Sequence, residues 1–317
     1  LVDYYQVDWE GNETMSQTLN RRTFIQSSIA AAGAAATITA PNVQAFDPIK
    51  RPFGAKMKSS CAAYSYRKYL QEEKSMTPLQ FLEECAKMGI DAAEPTSYYL
   101  PADAPDGYWT EFRHKAFMLG LDISGTAIGN TFTFPSGPDR EKNLELTRTW
   151  IDNSVKMGAP VIRIFAGKIL DGQNKEAAVK NTIETTQIAL EYAAKKGVFL
   201  ALENHGGIVA EPDEMLDIIK QIDSPWFGVN FDGGNFHGED PYKELEQIAP
   251  YAINAQLKIH VRRKGGENEP ADFDRIIGIL AESDYRGYVA LEYEGAEEPK
   301  EAIPRHMEKM LKALERV

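Results

Sequence analysis

From Lys58 onward, short apolar runs alternate with longer stretches whose apolar positions recur every three to four residues. The first pattern predicts strands buried in a sheet, the second helices with one face on a core. Strands are predicted at residues 59–64, 92–95, 122–128, 161–166, 199–203, 228–232, 255–259 and 289–293. Helices are predicted near 77–88, 107–119, 139–157, 175–196, 211–222, 240–248, 272–282 and 297–315. Thr77-Pro78, Glu211-Pro212-Asp213-Glu214 and Glu298-Pro299 carry helix starts, with proline or acids in the first turn. Gly89, Gly120, Gly158 and Gly197 each follow a helix and precede a strand, where a left-handed cap is wanted. This recurring joint is itself a βα-repeat signal. The count and size match a single-domain (β/α)8 TIM barrel over residues 46–317. A doubly wound open sheet is the alternative, but no GxGxxG follows the first strand.

Four of the later apolar runs end in an oxygen-bearing side chain. Glu203 closes VFLALE, Asp232 closes FGVNFD, Gln256 closes INAQ and Glu292 closes YVALE. Each is about one βα unit from the next, so in a parallel barrel they converge at the carboxyl ends of strands five to eight. An all-oxygen set of this kind favours Mg²⁺ or Mn²⁺ over zinc, which prefers nitrogen and sulfur. The loops at 96–107 and 130–138 lie on the same face and are rich in proline, tyrosine and phenylalanine. Tyr98, Tyr99, Tyr108, Trp109, Phe132 and Phe134 are candidates for a lid that stacks on a sugar.

From Cys61-Ala62-Ala63-Tyr64-Ser65-Tyr66-Arg67 to the last helix, the chain resembles the sugar isomerase/epimerase superfamily of xylose isomerase-like TIM barrels. The resemblance implies one divalent cation on Glu203, Asp232, Gln256 and Glu292. The family's usual set is Glu, Asp, His and Glu, and its His-x-Lys stands here as Gln256-Leu257-Lys258. Hydroxypyruvate isomerase-like members also have glutamine there. Asn235 stands where many members have histidine. Another register would use His260 as ligand, although it lies about 13 Å further along an extended strand.

The resemblance implies proton abstraction beside a carbonyl, with Glu203 and Glu292 as the two acid/base groups flanking the sugar and an enediolate between them. Glu94, His205, Asn235, Lys258 and His260 are the candidate substrate-binding residues. The reading is a sugar isomerase or epimerase acting on a non-phosphorylated sugar. Two alternatives stand beside it: β-elimination from a keto-sugar or keto-glycoside, and a non-catalytic carbohydrate-binding barrel.

Composition narrows the class. A net charge of −12 argues against a nucleic-acid surface, which needs a basic stripe. Five histidines are too few for a multi-zinc endonuclease site. Asn20-Arg21-Arg22-Thr23-Phe24-Ile25, the small-residue stretch after it and Val43-Gln44-Ala45 resemble a twin-arginine export signal and its cleavage site. Residues 1–45 are therefore expected to be an upstream segment plus a removable signal, and the protein to be periplasmic or otherwise exported. The stretch is too short for a comfortable membrane span, and export argues against a phosphorylated substrate. Cys61 and Cys85 lack CxxC spacing and read as buried free thiols. Homo-oligomerisation is compatible with the sequence.

Overall fold

The structure, a computed structural model, describes residues 47–317. The signal and upstream segment expected over residues 1–45 lie outside the described residues. The strands are β1 (Lys56–Ala62), β2 (Ala92–Glu94), β3 (Asp122–Ile123), β4 (Thr126–Ala127), β5 (Val161–Ile164), β6 (Phe199–Glu203), β7 (Phe227–Asp232), β8 (Ala252–Lys258), β9 (His260–Arg262), β10 (Asn268–Pro270) and β11 (Arg286–Glu292). The helices are α1 (Pro78–Lys87), α2 (Asp106–Met118), α3 (Pro138–Met157), α4 (Lys175–Lys196), α5 (Pro212–Ile219), α6 (Pro241–Ile248), α7 (Phe273–Glu282) and α8 (Pro299–Leu314).

Nine strands form one sheet in the order β3-β2-β1-β11-β8-β7-β6-β5-β4, with every pairing parallel. Its two ends, β3 and β4, are halves of one segment parted by Ser124-Gly125. The predicted third strand at 122–128 is thus broken at the seam that closes the barrel. Ser124 N donates to Ala93 O on one side of the seam, and Ile128 N donates to Arg163 O on the other. A Cβ on Gly125 would lie 2.9 Å from Val161 Cγ1 and 3.2 Å from its carbonyl oxygen, so the crossing needs glycine.

The Thr77-Pro78 start and the glycine stops are made as the sequence predicts. Thr77 and Gln80 form a reciprocal capping box ahead of α1. Asn174, Asp240 and Asp272 cap α4, α6 and α7 through their side chains. Gly158 and Gly197 end α3 and α4 at φ +85° and +72°. One element is unexpected: after β8 the chain turns at Ile259 into a β9–β10 antiparallel hairpin at the carboxyl end of the barrel. The strand predicted at 255–259 is therefore longer at its start and ends one residue earlier.

Alternation along each strand divides the molecule into two interiors. Leu200, Leu202, Val229, Phe231, Leu257, Val289 and Leu291 are buried against the helices with Phe81, Phe112, Ile276 and Met310. The alternate positions point to the barrel axis and carry polar or small side chains, such as Asn230, Gln256, Ala201 and Ala290. Ser60 Oγ on β1 meets Ser124 Oγ across the barrel at 2.8 Å, and Glu94 on β2 meets Asn254 on β8. Cys61 and Cys85 are buried and free.

Candidate active site

The polar interior forms two tiers. The upper tier lies at the carboxyl ends of β6, β7, β8 and β11, where Glu203, Asp232, Lys258 and Glu292 are all buried. Glu203 Oε2 pairs with Arg163 Nε at 2.8 Å, while its Oε1 accepts from Asn235 Nδ2 at 2.9 Å. Asp232 Oδ1 accepts from Gly234 N at 2.9 Å. Asp232 Oδ2 has no hydrogen-bond partner, although Lys258 Nζ lies 3.5 Å away. The same ammonium donates to Glu292 Oε1 at 2.9 Å and pairs with Glu294 Oε2 at 3.1 Å. Arg163 is held by Ile128 O and stacks on Phe165, with its guanidinium carbon 3.9 Å from the ring centroid. Phe165 in turn packs on His205, centroids 4.4 Å apart.

Burial dominates the electrostatics. It pushes the Glu203 carboxyl up to about 7, against the lowering pull of Arg163 and with the help of Glu292. Asp232 is raised well above the usual carboxylate range for the same reason, Lys258 opposing. Lys258 loses solvation, yet Asp232, Glu292 and Glu294 hold it firmly charged. His205 is pushed down by partial desolvation, with Asp232 opposing.

The lower tier is a closed hydrogen-bond ring. Gln256 Nε2 donates to Glu94 Oε1 at 2.5 Å, and Asn230 Nδ2 donates to Gln256 Oε1 at 2.9 Å. Asn254 Nδ2 donates to Asn230 Oδ1 at 2.8 Å and to Glu94 Oε2 at 3.1 Å. All four side chains are buried. The β7–β8 register, with Asn230 beside Asn254 and Asp232 beside Gln256, places the two tiers one above the other.

The structure places Glu203, Asp232, Lys258 and Glu292 in the upper tier and Gln256 in the ring beneath it, and a cavity of about 130 Å³ opens on Glu203, Gln256, Lys258 and Glu292. Three expectations change. Glu94, expected to bind a substrate hydroxyl, is wholly buried and gives both oxygens to the ring. His260, expected at the substrate or as an alternative ligand, lies on the hairpin and lines a neighbouring cavity of about 200 Å³ with Asn235 and Arg262. Asn235 holds the Glu203 carboxylate. His205 reaches the main cavity. Of the expected aromatic lid, Tyr98 lines the cavity, whereas Trp109 and Phe132 are buried in the core. Asn230, Asn254 and Glu294 belong to the site and were not among the expected residues. The first two carried a signal, a polar residue at an inward position of an apolar strand.

The donor chemistry fits a hard divalent cation. Glu203, Asp232 and Glu292 offer carboxylates and Gln256 an amide oxygen, with no nitrogen or sulfur donor among them. Five acids (Glu94, Glu203, Asp232, Glu292, Glu294) face two cations (Arg163, Lys258), and the orphaned Asp232 Oδ2 marks where positive charge is most wanted. Among the described residues, no three His, Cys, Asp or Glu side chains are grouped so as to hold a metal ion, and Glu203 and Glu292 pair with Arg163 and Lys258.

Comparison with known proteins agrees with this architecture. Residues 82–314 match the xylose isomerase-like TIM barrel family. The D-psicose 3-epimerase of Clostridium cellulolyticum H10, solved with D-tagatose, superposes with a TM-score of 0.67 at 17% identity, covering 81% of this chain and 99% of that one. A xylose isomerase-like TIM barrel protein of Mycobacterium smegmatis in complex with magnesium gives 0.65 at 21% identity, over 81% and 96% of the two chains. The probable 3-DHS dehydratase AsbF of Bacillus anthracis gives 0.62 at 16% identity, over 80% and 99%. At these identities the likeness establishes the fold. The chain spans 64% and 43% of the length of the curated relatives it matches.

Proposed function

The chain belongs to the xylose isomerase-like TIM barrel family, and we propose that it is a divalent-metal-dependent sugar isomerase or epimerase acting on a non-phosphorylated sugar. One observation carries this reading: two buried carboxylates, Glu203 and Glu292, border a single cavity, and one of them sits near pH 7. A general base works best when its pKa lies near the working pH. Glu203, on β6, and Glu292, on β11, are separated around the barrel by β7 and β8. They approach a bound sugar from different sides.

Glu203 removes the proton beside the carbonyl, held in place by Arg163 and Asn235. Glu292 returns a proton to the neighbouring carbon or to the opposite face, and its hydrogen bond from Lys258 keeps it oriented. The Lys258 ammonium is also placed to donate to the enediolate oxygens. A divalent ion on Glu203, Asp232, Gln256 and Glu292 would supply electrophilic polarisation of the carbonyl and hydroxyl oxygens. Tyr98 supplies an aromatic wall.

β-Elimination begins with the same proton abstraction and is the second reading, favoured by the likeness to the probable dehydratase. Incubating candidate ketoses and keto-glycosides in D₂O with Mg²⁺ or Mn²⁺ separates them. Deuterated sugar isomers support the proposal, whereas loss of water or an aglycone supports elimination. Glu203→Gln and Glu292→Gln should each lower turnover by about 10²-fold or more; near-normal turnover in both would refute the two-base assignment. We propose export through the twin-arginine pathway as well. Replacing Arg21 and Arg22 by lysine should then retain the protein in the cytoplasm, and unchanged fractionation would remove that part of the reading.

A further inference from the structure

The lower ring has a property that follows from donors and acceptors alone. Glu94 accepts on both oxygens, and Asn254 donates on both sides through one nitrogen. Gln256 and Asn230 each link their neighbours through one nitrogen and one oxygen, so they pass the direction of donation around the ring. With a carboxylate at 94, only one polarity satisfies all four contacts. Gln256 must turn its NH₂ to Glu94 and its oxygen to Asn230. Reversing Gln256 sets oxygen against oxygen at Glu94 and nitrogen against nitrogen at Asn230. An amide at 94 offers one donor and one acceptor, and then every arrangement of the ring leaves one mismatched pair while Asn254 keeps its place.

We propose that Glu94 is a positioning residue whose double acceptance fixes the Gln256 carboxamide with its oxygen, not its NH₂, available to the upper tier. This rests on the reading that Gln256 belongs to the divalent-cation donor set. An NH₂ group cannot ligate a metal cation, so the orientation decides whether a glutamine at 256 is a ligand. The ring is buried and closed by four hydrogen bonds. Mismatched buried donors are costly, so the polarity is held tightly.

The test uses three variants and two readouts: thermal midpoint in chelator, and Mg²⁺ or Mn²⁺ affinity by calorimetry. Glu94→Gln should lower the midpoint and weaken divalent affinity by about 10- to 100-fold, the usual effect of losing a group that orients a ligand. Adding Asn230→Asp moves the carboxylate to the other side of Gln256. The ring is again fully matched, but Gln256 is reversed. Adding Gln256→Glu to Glu94→Gln instead also matches the ring, and keeps an oxygen at 256 whichever way it turns.

Both double variants should regain the midpoint lost by Glu94→Gln. Affinity should recover only in Glu94→Gln/Gln256→Glu and stay low in Glu94→Gln/Asn230→Asp. Equal affinities in the two doubles, or unchanged affinity in Glu94→Gln, overturn the proposal. So does failure of both doubles to fold, since matched polarity would then not be the requirement. If the unmodified protein binds neither ion, the metal reading falls, while the midpoints of the single and double variants still report whether Glu94 sets the ring.

Discussion

Lys258→Met is the most informative single change in the upper tier. Its ammonium lies 2.9 Å from Glu292, 3.1 Å from Glu294 and 3.5 Å from Asp232, and only 8% of the residue is exposed. Methionine keeps the stem's volume and removes the charge. Deleting one partner of a buried ionic cluster costs about 3–5 kcal/mol, because the remaining charges stay desolvated. For a domain of this size, that is a fall in midpoint of about 6–20 °C. Differential scanning calorimetry in chelator at pH 8 should show it.

The deficit should depend on pH in a fixed direction. A carboxyl whose pKa is raised on folding stabilises the fold in acid, and that contribution is lost as pH rises through the folded value. Glu203, raised from about 4.3 in the unfolded chain to about 7, loses it across that window. Asp232 is raised in the same direction. Above pH 7 the site is therefore most anionic and most in need of Lys258, so the gap between variant and parent should narrow as pH falls towards 5. Mg²⁺ should stabilise the variant more than the parent, because ion and ammonium compete for the same oxygens. A midpoint unchanged in chelator, or equal stabilisation of both proteins by Mg²⁺, would show that Lys258 does not neutralise this cluster.

Two further outcomes follow from single contacts. Arg163→Gln removes the group that lowers the Glu203 pKa, so the acidic limb of the kcat/KM profile should move to higher pH, and a limb that stays near pH 7 would detach Arg163 from the base. Gly125→Ala forces a methyl group against Val161 at the barrel seam; the expected loss is about 1–3 kcal/mol in urea unfolding, and a neutral result would mean that the seam relaxes.

Legibility in the sequence followed chain-local periodicity. The strands, the helices and the glycine joints were readable because each depends on a few neighbouring residues. So were the positions of Glu203, Asp232 and Glu292, since a polar side chain ending an apolar strand is visible without knowing its partners; Gln256 was read as a strand end too, but β8 runs on to Lys258 and leaves Gln256 one tier lower. The β9–β10 hairpin was not, because His260–Arg262 and Asn268–Pro270 are short and mostly exposed and leave no apolar pattern. The break at Ser124-Gly125 arises from the pairing of two distant strands with one segment. Glu94 was assigned to the substrate because its partners lie some 160 residues along the chain and meet it only across the barrel axis.

The two tiers explain why the reactive position lies where it does. In the lower tier, three amides and one carboxylate satisfy one another, so a polar barrel axis is stable without solvent. The upper tier cannot close in that way. It holds three buried carboxylates against Arg163 and Lys258, and it leaves Asp232 Oδ2 without a hydrogen bond, with only the Lys258 ammonium 3.5 Å away. Burying a carboxyl oxygen that lacks a hydrogen bond is costly, and folding to a state that retains it requires support from the structure around it. The matched ring beneath, the Gly234 amide on Oδ1 and the Asn204 side chain, which bonds both the backbone N–H and the carbonyl of Asp232, provide that support. Asp232 Oδ2 is therefore held in place beneath the Lys258 ammonium, the upper-tier oxygen that a cation bound as proposed would complete.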